Sequence, residues 1–211
     1  MTPVSALVSF AFVAGMLTII PGLDTALVLR SAMTRGRRHA FATALGINTG
    51  VLLWGAGAAL GVTALLTASQ VAYTVLRYAG AAYLVWFGVT LVRRSLSGGA
   101  AEPGPAVTAA SGGAYRAWMR GVATNLLNPK VGVFYVAMLP QFIPKGSPHL
   151  LMGLLLALVH NVEGLAWFTV LIFGTTVARR RLSGERVHRW TDRMTGVVLV
   201  GFGLRLALSD H

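Results

Sequence analysis

The sequence contains no cysteine, which removes thiol catalysis, disulfide bonding and thiolate metal sites from consideration. It is also short of charge: 11% of its 211 residues are Asp, Glu, Lys or Arg, against about a quarter in a soluble domain. Acids are the scarcest, six against eighteen Lys plus Arg. No Gly-x-Ser-x-Gly motif is present to hold a serine nucleophile, so an enzyme is not expected. The opening Met1-Thr2-Pro3-Val4-Ser5 lacks the basic region of a secretory signal, and no small-residue cleavage site follows, so the first apolar segment is expected to be a retained span. What the chain has in quantity is apolar surface, with 55% hydrophobic residues and a mean hydropathy of +0.67. That combination describes an integral membrane protein.

The positive charge is not a nucleic-acid signature, because its placement follows the bilayer. Arg30, Arg35, Arg37 and Arg38 fall in one connection, and Arg93, Arg94, Arg116 and Arg120 flank a second. Arg179, Arg180, Arg181, Arg186, Arg189 and Arg193 fill a third, so these alternate connections hold fourteen of the eighteen basic residues. Such clustering marks cytoplasmic loops. A span needs about 20 apolar residues, and six are expected: Val4–Leu29, Ala40–Ala68, Val71–Val92, Trp118–Phe142, Leu150–Val177 and a short Met194–Leu208. Arg77 lies near the outer end of the third, and Arg205 can snorkel from the sixth. With basic loops after spans one, three and five, both termini are expected outside. In the second span, Gly46-x-x-x-Gly50 and Gly57-x-x-x-Gly61 are spacings that let helices approach closely.

Residues 95–116 are rich in Gly, Pro, Ala and Ser and read as a flexible cytoplasmic linker. They separate a first three-span unit, residues 1–94, from a second, residues 117–211. Odd halves joined in this way have opposite orientations. Phe87-Gly88-Val89-Thr90-Leu91 echoes Phe202-Gly203-Leu204-Arg205-Leu206, and Asn48-Thr49-Gly50 echoes Asn161-Val162-Glu163-Gly164. The expected fold is therefore all-α and polytopic, six transmembrane helices arranged as two inverted three-helix repeats.

Two interruptions organise the polar residues. Ile19-Ile20-Pro21-Gly22-Leu23-Asp24-Thr25 breaks the first span, and Asn125-Leu126-Leu127-Asn128-Pro129-Lys130 breaks the fourth. Proline removes a helical donor, and an ionisable group at a membrane helix centre costs about 2.5–3.5 kcal/mol even on the lenient insertion scale. Asp24 is either a helix-start residue near the inner interface or a binding or proton-carrying carboxylate, and its cost favours the second reading. Asn128 suits an N-cap and Pro129 the first helical position, so a half-helix with an anion-attracting start is expected there, Lys130 adding a full charge. Asp24 and Lys130 are expected to pair until a zwitterion separates them, its ammonium meeting Asp24 and its carboxylate the Pro129 half-helix. His160 and Glu163, three apart on one turn, are either a proton relay or a buried pair that stabilises packing. Trp54, Trp86, Phe134, Tyr135 and Trp167 are expected to pack. Inverted halves with interrupted helices in corresponding positions point to a secondary transporter with its site at the breaks.

Pro-Gly-x-Asp-Thr in the first span, the basic turn and Gly-x-Asn-x-Gly after it, and Asn-Leu-Leu-Asn-Pro-Lys…Leu-Pro-Gln-Phe in the fourth resemble the LysE/RhtB family of amino-acid exporters. The resemblance covers essentially the whole chain, with one departure: Leu23 stands where the family often has a second proline. It implies a multi-pass carrier of the bacterial cytoplasmic membrane exporting amino acids such as threonine, homoserine, leucine or lysine by proton antiport. It also implies that Pro21, Gly22, Asp24, Asn128, Pro129 and Lys130 line the central site. Thr25, Asn48 and Asn125 complete the candidate substrate-binding set, while Asp24, His160 and Glu163 are the proton-coupling candidates. The expected partners are an amino acid, protons, lipid and, as an open assembly, a second copy in a homodimer; no nucleic acid, cofactor or metal is expected. The alternative is a divalent-cation exporter of related architecture, for which only two intramembrane acids are at hand.

Overall fold

The computed structural model describes residues 2–68, 70–97, 113–174 and 185–208. These form α1 (Pro3–Ile19), α2 (Leu23–Arg35), α3 (Arg37–Ala68), α4 (Gln70–Leu96), α5 (Ala114–Leu126), α6 (Pro129–Met138) with a 3-10 turn at Leu139–Phe142, α7 (His149–Phe173) and α8 (Glu185–Leu208). No strand occurs among the described residues, as lipid demands of segments that must satisfy their own backbone polar groups. Arg37–Gly61 and His149–Phe173 are each long and apolar enough to cross a bilayer, and counting the bent pairs α1 with α2 and α5 with α6 as spans makes up to four. The described residues thus support two to four spans by length and apolarity, where six were expected.

Two boundaries move. α5 already begins at Ala114, inside the tract read as linker, and α8 begins at Glu185, well before Met194. In the second case the helix runs on through charged residues that an apolar count leaves out. The rest of the linker, residues 98–112, and Arg179, Arg180 and Arg181 of the third basic loop lie outside the described residues, as do the side chains of Arg77, Arg94, Arg186 and Arg205.

Both interruptions are real bends, of 55° between α1 and α2 and 57° between α5 and α6. Proline drives the residue before it out of helical geometry. Ile20 accordingly takes φ −69°, ψ 111° before Pro21, and Asn128 takes φ −79°, ψ 107° before Pro129. The second helix of the latter pair restarts on a side-chain cap, with Asn128 Oδ1 accepting from the Lys130 amide at 3.1 Å.

Close helix crossings rest on small residues. On α3, Gly46 lies against the Trp118 carbonyl of α5, and Gly121 of α5 lies in turn against the Thr43 carbonyl. Gly50 packs on Asn125, where an added Cβ would stand 2.6 Å from Oδ1. One turn further, Gly55 meets Ala157 and Gly153 of α7. Gly57 and Gly61 face nothing within 4 Å, so of the two expected spacings only Gly46-x-x-x-Gly50 makes a crossing. Gly88 of α4 and Gly196 of α8 abut each other's carbonyls. The main core joins α1, α3, α6 and α7 around Phe10, Phe134, Met138 and Leu156. Smaller cores form around Phe168 between α2, α3 and α7 and around Leu84 and Leu199 between α4, α6 and α8.

Candidate functional site

The bends bring their flanking residues onto one cavity of about 40 Å³. α1 and its C-cap contribute Leu17, Thr18 and Ile20 to its wall, and the first bend and α2 contribute Gly22, Asp24 and Thr25. α3 adds Ile47, Asn48 and Val51, α5 adds Asn125, α6 adds Lys130 and Val131, and α7 adds His160, Gly164 and Phe168. Of the sequence candidates, Gly22, Asp24, Thr25, Asn48, Asn125, Lys130 and His160 therefore meet here.

The others stand behind the wall or apart from it. Pro21 and Pro129 make the bends, and Asn128 caps α6. Glu163 lies away from the cavity, its carboxylate against Gly15 of α1, where an added Cβ would be 3.6 Å from Oε1. His160, three residues before it on α7, is on the cavity wall, and the two remain linked through Tyr135, which bonds His160 and feels the Glu163 charge.

Asp24 and Lys130 stand close enough for their charges to act on one another, as the expected pairing requires, but they share no direct bond. Asp24 Oδ2 accepts from Asn125 Nδ2 at 2.9 Å. Lys130 Nζ donates to the main-chain carbonyls of Leu17 at 3.3 Å and Ile20 at 3.1 Å. The reason is geometric. The bend leaves those carbonyls without helical donors, and a long flexible ammonium reaches them from α6. Asp24 Oδ1, Asn125 Oδ1 and Asn128 Nδ2 make no protein hydrogen bond of good geometry, though the Asn128 side chain stands close enough to act on the Asp24 carboxylate.

Asn125 ties the site together. It is fully buried, holds Asp24, packs on Gly50, and its carbonyl accepts from Trp54 Nε1 at 3.4 Å. Asn48 donates to the Ala44 carbonyl at 2.8 Å, while its own carbonyl accepts from Asn161 Nδ2 at 3.1 Å, fastening α7 to α3. Tyr135, read from the sequence as packing, does pack in the main core. It also bonds His160 Nδ1 through its hydroxyl at 3.0 Å and stacks on the ring with centroids 5.9 Å apart. Trp86, also expected to pack, lies against the Tyr83 ring with centroids 5.5 Å apart and is 61% exposed.

Sequence reasoning missed Leu17, Thr18, Ile20, Ile47, Val51, Val131, Gly164, Phe168 and the Tyr135 bond. One signal was available: Leu17 stands four residues before Pro21, so its carbonyl loses its helical donor. The apolar wall residues carry no mark that separates them from core.

Interrupted helices around a cavity that carries a carboxylate and an ammonium, inside an apolar helical protein, are the construction of a membrane transporter. The chain belongs to the LysE type translocator family, which it matches over residues 16–210. It is 32% identical over 190 residues to the threonine efflux protein of Escherichia coli, covering 90% of this chain and 91% of that one. It is 30% identical over 208 residues to an uncharacterized membrane protein of Bacillus subtilis, with 97% and 99% covered. With the leucine efflux protein of an Enterobacter species it shares 29% over 201 residues, 90% of each chain being covered. No solved structure matches.

Proposed function

We propose that this chain exports small neutral amino acids across the bacterial cytoplasmic membrane, as a six-span carrier of two inverted halves working by alternating access and proton antiport. One observation carries the reading: Asp24 follows one bend, Lys130 follows the other, and both line one cavity. A wall with one carboxylate and one ammonium complements a zwitterion. The cargo ammonium meets Asp24 and its carboxylate meets the start of α6. The names of the threonine and leucine efflux relatives agree with such a cargo. A dibasic cargo such as lysine would want a second acid, and Glu163 is turned towards Gly15 instead. The near-equal bends of 55° and 57° support inverted halves, with substrate at the breaks.

A cavity of about 40 Å³ has room for a few water molecules, whereas ligand pockets run to about 300–1,000 Å³. Cargo therefore requires the helices around the bends to part, first to one side of the membrane and then to the other. Asp24 and His160, on the cavity, and Glu163, at the α1–α7 seam, are the groups available to couple a proton to that movement.

Growth protection by the overproduced protein against a panel of toxic amino acids and analogues, with intracellular pools measured, tests the cargo. Protection against neutral members with lowered pools is expected, and no protection by any member overturns the reading. In proteoliposomes, an imposed pH gradient is expected to accelerate counterflow of the same amino acid. Equal rates with and without the gradient overturn proton coupling and leave export standing.

A further inference from the structure

α1 ends on carbonyls that no helical amide satisfies. Pro21 has no N–H to offer Leu17, and the turn to extended backbone at Ile20 takes the next carbonyl out of helical register. Both residues line the cavity. Their donor is the side-chain ammonium of Lys130, at 3.3 Å and 3.1 Å. Gly22 makes room for it, since an added Cβ there would lie 3.2 Å from Nζ. On the same cavity stands the Asp24 carboxylate, engaged by Asn125 through Oδ2 and flanked by the Asn128 side chain. A primary ammonium has three N–H donors, and the carbonyl end of a helix favours a cation.

We infer that the Leu17 and Ile20 carbonyls, on the cavity that Asp24 also lines, form a subsite for a primary ammonium, which Lys130 occupies in this conformation as a tethered stand-in for the cargo's own. That the visiting ammonium belongs to an amino acid rests on the export reading above; the ammonium chemistry does not. When cargo binds, Lys130 withdraws along its flexible stem and one ammonium replaces another. The end of α1 then keeps a cation throughout, and no carbonyl is left bare in the membrane interior. The subsite selects for N–H donors: a quaternary ammonium or a deaminated hydroxy acid has none to give it.

The test uses the purified full chain and the methylammonium ion. In Lys130→Met, which keeps the aliphatic stem and loses the charge, methylammonium is expected to raise the melting temperature by several degrees, and tetramethylammonium is not. If that variant survives purification only in methylammonium, the rescue is the same result in another form. The wild type, whose subsite is already filled, is expected to respond to neither ion. Adding Asp24→Asn to Lys130→Met is expected to weaken the response several-fold. The proposal is overturned if Lys130→Met shows no response or rescue, if tetramethylammonium acts equally, if the wild type responds as strongly, or if Asp24→Asn changes nothing. Export by the wild type with no methylammonium effect on Lys130→Met would remove the subsite and keep the cargo. A methylammonium effect without amino-acid export would do the reverse.

Discussion

Asp24 and Lys130 face one cavity, yet each is bonded to an uncharged partner, Asn125 for the acid and the α1 carbonyls for the base. Charge in the wall is thereby held ready for something other than its opposite number. Asp24→Asn and Lys130→Gln are each expected to abolish export at normal membrane abundance, and unchanged export by both would overturn the site. Gly50→Ala is expected to reduce export as well, because its Cβ would press on Asn125 at Cβ as well as Oδ1, 2.9 and 2.6 Å away, and dislodge it from Asp24. Tyr135→Phe keeps the ring stacked on His160 but strips its hydrogen bond. Leaving a buried polar group unpaired costs about 1–3 kcal/mol, to be read as a lowered melting temperature of the purified protein. Asp24 and Lys130 were legible as residues from their charge in an apolar run. Their partners were not, since Asn125 and the carbonyls of α1 come from other helices.

Among the helices, the bends were readable and the crossings only half so. A proline dictates local backbone geometry whatever surrounds it, so the residues before Pro21 and Pro129 show what the sequence requires. Glycine spacing states which residues share a stripe of a helix but not whether another helix opposes that stripe. Gly46 and Gly50 meet α5, Gly57 and Gly61 meet nothing within 4 Å, and Gly55 makes the contact with α7. Gly121→Ala is therefore expected to destabilise by about 1–3 kcal/mol through overpacking. Gly57→Ala is expected to be neutral or stabilising by up to about 1 kcal/mol, the usual gain in a helix interior. Melting of the two variants in the same detergent compares them directly, and a destabilised Gly57→Ala would point to a further helix, or a second copy, on that face.

At the scale of the whole molecule, orientation follows from charge distribution. The absence of native cysteine permits single-cysteine labelling without background. In intact cells an impermeant maleimide is expected to label Lys145→Cys, between the 3-10 turn and α7, and to label Arg38→Cys, at the start of α3, only after permeabilisation. Both native positions are exposed. The opposite pattern would invert the proposed topology and put both termini inside.

By itself the sequence determined the solvent, the secondary structure and the places where helices must break. Hydropathy, charge placement and proline act locally and need no partner. Tertiary structure alone decided that the two breaks share a cavity, that Lys130 bonds the α1 carbonyls, that Tyr135 holds His160, and that Glu163 stays off the cavity wall. Each of these depends on which faces of distant helices meet, and small residues set that by allowing close approach at some crossings and leaving others open.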